Sequence, residues 1–366
     1  MPHKQSVDSL LLITVIGLTL FGLMMIASAS QVIAERFRED AFFFLKHQLF
    51  YGGTVGMVAF ITAVLTPYRA WRVIAVPAIL LSVVLLVLVF VPGLSVESGG
   101  ASRWIGLGPI TIQPTEITKL AFILYLAALF ESKGSEVRSL QQSVVPFLVI
   151  MGVIGGLIVL QPDIGTLMSI IIIAAAMIYA GGFRLRHLAL LGLGGLALFL
   201  VLVNTASYRL NRIITYLHPE LDPQGVGYQI NQALLAVGSG GLWGLGFGRS
   251  RQKYQFLPEP AGDSIFAVIS EELGLVRTLL VLAAFGVIAW QGYSIARRAP
   301  DTFGQLVAVG ITTWIVSQMF INAGSILGIT PLTGIPLPFI SYGGSALVTM
   351  LFAVGILLNI SRYAAD

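Results

Sequence analysis

Ten long apolar stretches constrain this chain more than any other feature of its sequence. A helix needs about 20 mainly apolar residues, rising about 1.5 Å each, to cross a bilayer. The runs cover about 9–29, 43–65, 71–92, 116–131, 143–160, 165–181, 187–204, 277–296, 303–328 and 343–361. Composition agrees: 56% of the 366 residues are hydrophobic and 10% are charged, against about 25% charged in soluble domains. Such a chain cannot cover a water-facing surface with ions. That excludes a soluble globular enzyme, a disordered chain and a nucleic-acid module. The expected fold is an all-α polytopic membrane protein, one bundle of about ten transmembrane helices spanning residues 1–366 as a single domain.

The first run, Leu10 to Ser28, is followed by small residues, as a cleaved leader would be. It is long enough to span and many spans follow, so it reads as a retained first helix. Basic residues gather on alternate connectors: Lys4, Arg69, Arg72, Lys133, Arg138, Arg184, Arg186, Arg297, Arg298 and Arg362. The positive-inside rule makes that side cytoplasmic, with both termini inside. The long connector 205–263 then faces outward. A formal charge of +4 is too small to imply a polyanionic partner. There is no cysteine and only four scattered histidines, so neither a thiolate site nor a histidine metal site is expected.

The outward connectors hold the unusual chemistry. Residues 93–116 (GLSVESGGASRWIGLGPITIQPTE) and 328–345 (GITPLTGIPLPFISYGGS) are rich in glycine and proline, and the first reads as turns rather than helix. Irregular backbone at membrane depth needs protein or a watery cavity around it, so a hydrated outer cleft is expected. Tyr228 to Val237 has helical spacing and reads as a short interfacial or re-entrant helix. Residues 264–296 are longer than one crossing requires, which predicts a break near Gly274 or a protruding outer end.

Several charged residues admit two readings. Glu116 and Lys119, three apart on one helix face, form either a structural ion pair or a phosphate-contacting Lys oriented by Glu. Arg103, beside Trp104, is an interface anchor or an anion contact. Asp163 precedes a helix and reads as a cap or a site residue. The basic cluster Arg249, Arg251 and Lys253 neutralises lipid headgroups or holds an anionic ligand. Asp263, in LPEPAGD just before an apolar helix, is a helix cap or a general base on the cleft wall. Glu271 and Glu272 sit in apolar helix, where charges mark function. A secondary transporter or lipid flippase and an intramembrane enzyme both fit; irregular backbone confined to the outer connectors favours the enzyme.

Six segments in order resemble the SEDS family (shape, elongation, division and sporulation), which includes FtsW and RodA. They are SRWIGLGPITIQPTEITKLA (102–121), LQPDIGT (160–166), YRLNRI (208–213), GYQINQALLAVGSGGLWGLGFGRSRQK (227–253), LPEPAGDSIFAVISEELG (257–274) and PLTGIPLPFISYGGSAL (331–347). The resemblance covers almost the whole chain and leans to the FtsW-like side. It implies a glycosyltransferase of the bacterial plasma membrane that polymerises lipid II, the undecaprenyl-pyrophosphate-linked disaccharide-pentapeptide. The implied partners are a class B penicillin-binding protein and other elongation or division proteins, with membrane lipids around them. The family's essential aspartate falls on Asp263, and its cavity ionic residues fall on Arg103, Glu116, Lys119, Asp163 and Arg212. Pyrophosphate chemistry accommodates a divalent cation, Mg or Mn. A lipid II flippase without polymerase chemistry is the alternative activity.

Overall fold

The computed structural model describes residues 6–98, 101–108, 110–134, 145–183, 189, 192–195, 207–254 and 256–364. Helix α1 (Ser9–Arg38) starts where Asp8 accepts the Leu11 amide. Helix α2 (Phe43–Leu65) passes through a π-turn at Gln48–Thr54, which contains Gly52 and Gly53. Buried Gln48 there accepts the Gly343 amide at 3.0 Å. Helix α3 spans Tyr68–Leu88.

Residues 93–116 depart from expectation. The described residues within 95–112 form a three-stranded antiparallel sheet, β1 (Ser95–Ser98), β2 (Ala101–Leu107) and β3 (Ile110–Ile112). Val96 pairs with Trp104 and Ile105 with Ile112, so β-branched and aromatic residues supply the pairing energy. The glycines mark its turns: Gly108 stands at φ +64° between β2 and β3.

Helices α4 (Pro114–Lys133), α5 (Val145–Leu160), α6 (Ile164–Ala180), α7 (Ser207–Leu217) and α8 (Val226–Gly240) follow. Next come α9 (Ile265–Arg298), α10 (Thr302–Ile326) and α11 (Gly344–Ser361). Six of these are long and apolar enough to cross a membrane (α1, α2, α3, α9, α10 and α11), and α5 and α6 are shorter apolar helices. Helix α4 has the length of a span but carries Glu116 and Lys119. The span expected at 187–204 falls almost entirely outside the described residues. The chain is a polytopic, helical membrane protein.

Burial separates the helices. In α10 83% of the most apolar stretch is buried, against 22% in α2 and α3. Helix α10 is thus the axis of the bundle, while α2 and α3 offer apolar side chains to lipid. At the pole away from the sheet, Asp301 caps α10 through the Gly304 amide and accepts the Tyr68 hydroxyl at 2.6 Å. Arg72 pairs with Glu131 nearby at 2.9 Å.

Helix α9 breaks at Gly274, whose φ is +77° and ψ 175°, as its length predicted. The broken ladder is repaired by the preceding loop. Leu245 and Gly246 donate to the carbonyls of Glu271 and Glu272, and Leu275 and Val276 donate to those of Gly241 and Leu242. A Cβ on Gly274 would lie 2.3 Å from the Gly244 nitrogen, so only glycine permits this backbone contact. Ile265 to Glu272 are buried in protein, whereas Leu275, Val276, Leu279 and Leu280 are exposed. The two halves of α9 therefore have different surroundings.

Candidate functional site

Asp263 ends a loop held mainly by its backbone. The amides of Gly262 and Ser264 both donate to the Glu259 carbonyl, at 2.9 and 3.3 Å, with Glu259 at φ +46°. The Tyr342 amide donates to the Ala261 carbonyl and the Ser341 hydroxyl to the Gly262 carbonyl, each at 2.8 Å. Asn322 of α10 donates its amide to the carbonyls of Asp263 at 2.7 Å and Ile335 at 2.8 Å. One side chain on the buried axis thus joins both irregular loops.

The Asp263 carboxylate is half-buried. Ser264 takes the N-cap position, and no side chain caps the first turn of α9. The capping reading of Asp263 does not hold, which leaves its carboxylate available. Burial, then the negative charge of Glu259, pushes its acid dissociation up to about 6. Gln229 of α8 and Ser264 pull the other way by hydrogen bonding. Gln229 donates to the Ser264 hydroxyl at 3.1 Å, and that hydroxyl lies 3.4 Å from Asp263 Oδ1. Gln229 lies in the helix that the spacing predicted; its polarity alone gave no sign of this role.

Glu116 and Lys119 pair at 2.8 Å and are almost fully buried. Lys119 also donates to Gln318 Oε1 at 2.9 Å and stands 4.9 Å from the centre of the Trp314 ring. Trp314 Nε1 donates to the same Gln318 oxygen, and Gln318 Nε2 to the Pro336 carbonyl. The ammonium is occupied from within, so the structural reading of this pair is the one the geometry supports.

Arg103 on β2 donates to the carbonyls of Gln161 and Pro162. It clasps the sheet to the α5–α6 turn and is neither a lipid anchor nor free for an anion through those two nitrogens. Asp163 caps α6, accepting the Thr166 amide at 3.1 Å and its hydroxyl at 2.7 Å. Its capping reading holds.

Lys253 requires a correction. It is buried, and its ammonium donates to Glu272 Oε1 at 2.8 Å, the Gly248 carbonyl at 2.8 Å and the Ser28 hydroxyl at 3.0 Å. All three hydrogens are used, so nothing remains for an anionic ligand. Arg249 and Arg251 stay exposed. The roles of Glu271 and Glu272 become plain. Glu272 accepts the amides of Gly248 and Ser250, and Glu271 those of Arg251 and Gln252. The sequence could not assign them because their partners are backbone amides brought there by the loop's fold. Arg212 lies on α7, with its side chain outside the described residues.

Among the described residues no three histidine, aspartate or glutamate side chains converge as metal ligands. The arrangement offers a held carboxylate of raised proton affinity where two irregular loops meet.

A model of the FtsW, RodA and SpoVE proteins, described as cell cycle proteins, matches residues 8–366. Stage V sporulation protein E of Bacillus subtilis is 45% identical over 361 residues, 99% of this chain and 98% of that one. The probable peptidoglycan glycosyltransferase FtsW of Trichlorobacter lovleyi is 40% identical over 354 residues, covering 97% and 93%. The crystal structure of the rod shape determining protein RodA of Thermus thermophilus matches with a TM-score of 0.72 at 26% identity, covering 98% of both chains. A chain from a peptidoglycan synthase complex that coordinates polymerization and crosslinking matches at 0.80 and 27% identity, covering 97% and 98%. With the match running almost from end to end, the chain belongs to the FtsW/RodA/SpoVE family of cell cycle proteins.

Proposed function

We propose that this chain is a peptidoglycan glycosyltransferase that polymerises lipid II at the outer face of the plasma membrane, with Asp263 as general base. The observation that carries the base assignment is the half-buried Asp263 carboxylate, not used as a helix cap, with proton affinity raised to about 6. A base that titrates near the working pH is the most effective kind. Relatives named as peptidoglycan glycosyltransferases and a neighbour from a synthase complex support the substrate class.

In this reading Asp263 takes the proton of the acceptor sugar hydroxyl as its oxygen attacks the anomeric carbon of the donor. The bond from that carbon to the pyrophosphate breaks, and the pyrophosphate leaves with the electron pair. It is a good leaving group, so no paired acid is needed. The family resemblance assigns Arg212 and Arg103 as the cations that would balance the departing charge, and Arg103 keeps one guanidinium nitrogen outside its two carbonyl bonds. Glu116, Lys119 and Asp163 shape the wall. A divalent cation, Mg or Mn, would enter with the pyrophosphate, which binds such ions through few protein ligands.

The partner is a class B penicillin-binding protein that crosslinks the strands, alongside other elongation or division proteins. Both termini are cytoplasmic and residues 205–263 lie outside, because basic residues collect on alternate connectors. Cysteines placed at Ser135 and Ser239 test this: an impermeant thiol reagent on intact cells labels position 239 alone. The activity is tested with purified protein and its partner, given labelled lipid II and assayed separately for polymer and for transfer across a bilayer. Polymer formation supports the glycosyltransferase. Translocation without polymer supports the flippase alternative.

A further inference from the structure

A cavity of about 210 Å³ adjoins the Asp263 loop, lined by Ser30 and Ile33 of α1, Phe44 of α2, Glu259 to Gly262, and Tyr342. Its wall has a specific chemistry. Ser30 is 1% exposed and its hydroxyl has no hydrogen-bond partner. Buried hydroxyls without a partner are rare in native proteins. Glu259 at the rim is exposed and held in a left-handed backbone conformation, a strain that clusters at ligand sites. Phe44 and Tyr342 meet edge to face, 5.1 Å apart with planes at 88°. The Tyr342 hydroxyl is fixed 3.0 Å from His47 Nδ1, so its ring is held in place.

We propose that this cavity binds the hexopyranose ring of the acceptor sugar, an inference that rests on the glycosyltransferase reading. Sugar rings present apolar C–H faces and a rim of hydroxyl and amide groups. Aromatic rings take the faces, while an unpartnered hydroxyl and a carboxylate take the rim. A lipid tail would leave the buried Ser30 hydroxyl without a partner. A phosphate would meet the negative charge of Glu259. A bound ring would also lie beside the catalytic loop, because Ala261 and Gly262 line the cavity and Asp263 follows them.

The test uses the full-length chain in detergent and, as probe, the N-acetylglucosamine–N-acetylmuramic acid disaccharide without lipid or pyrophosphate. Binding is read by titration and saturation-transfer NMR, and folding by thermal unfolding. Wild type and Asp263→Asn bind the probe. Glu259→Gln and Tyr342→Leu remain folded and bind it about 10-fold or more weakly, with KM for lipid II raised more than kcat falls. Ser30→Phe, which fills the cavity, abolishes binding. Unchanged probe affinity in folded Glu259→Gln and Tyr342→Leu proteins would overturn the site, even if polymer is still made. Wild-type protein that binds the probe but makes no polymer even with its partner present would keep a sugar site and remove the glycosyltransferase reading.

Discussion

Asn322 holds Asp263 by its backbone: the Asn322 side-chain amide lies 2.7 Å from the Asp263 carbonyl and 2.8 Å from that of Ile335. The carboxylate is thus positioned without being consumed. Replacing Asn322 with leucine strands two carbonyls and releases the loop, and misplacement of a catalytic group by about 1 Å costs on the order of 100-fold. Asn322→Leu should reduce kcat by ~10–100-fold with little change in expression. Steady-state polymer assays on the purified variant check this, and wild-type kcat would refute it.

Asp263→Asn separates base from scaffold. The amide has nearly the carboxylate's shape but accepts no proton, so the variant should fold and lose polymerisation by ~100-fold or more, since base catalysis contributes about 10²–10⁴. In the wild type, the base works only when deprotonated. Activity should therefore fall below a pH of about 6 and level off above it. Gln229→Leu or Ser264→Ala removes a group that favours the charged form, so either variant should move that acid limb upward. The effect on stability has the opposite sense. An aspartate with a folded value raised from 3.8 favours the fold below 3.8, and the contribution is lost as pH rises through about 6.

For Lys253 and Glu272 the expectation is purely structural. Lys253→Met leaves Glu272 buried and unpaired, which costs about 3–5 kcal/mol. The Lys253→Met, Glu272→Gln double variant should regain most of that loss and polymerise near the wild-type rate. Thermal unfolding and polymer yield are the measurements. Recovered folding with no activity would return Lys253 to the ligand.

Glu116 and Lys119 make a second case. Because Gln318 and Trp314 occupy the ammonium from within, the Glu116→Gln, Lys119→Met double variant should recover both stability and polymerisation relative to either single change. A stable but inactive double variant would show that Lys119 also meets the pyrophosphate.

Much of the scaffold was legible in the sequence. The break in α9 followed from length against bilayer thickness, α8 from apolar spacing, and the Asp163 cap from its position before a helix. The sheet at 95–112 was not legible, because glycines at strand ends read as turns while the β-branched residues between them went unweighed. The fates of Lys253, Glu271 and Glu272 were hidden for another reason. Lys253 and Glu272 pair with each other across the loop and with Ser28, far away in sequence, and their other partners, with those of Glu271, are mostly backbone groups that any loop sequence would supply. Arg103 looked like a surface cation because the carbonyls it holds belong to a turn 58 residues later.

The pairings across the bundle also impose an order in time. The Asp8 amide meets the Ser361 hydroxyl, 353 residues away, and Asn359 bonds the Tyr68 amide and the Val64 carbonyl. While the ribosome is still making the middle of the chain, the first three helices have none of these partners. Helix α11 is the closing piece, and until it is inserted the cytoplasmic ends of the early helices lack these tertiary partners and have only water to bond. Nascent chains stalled before α11 should therefore be exposed to membrane quality-control proteases.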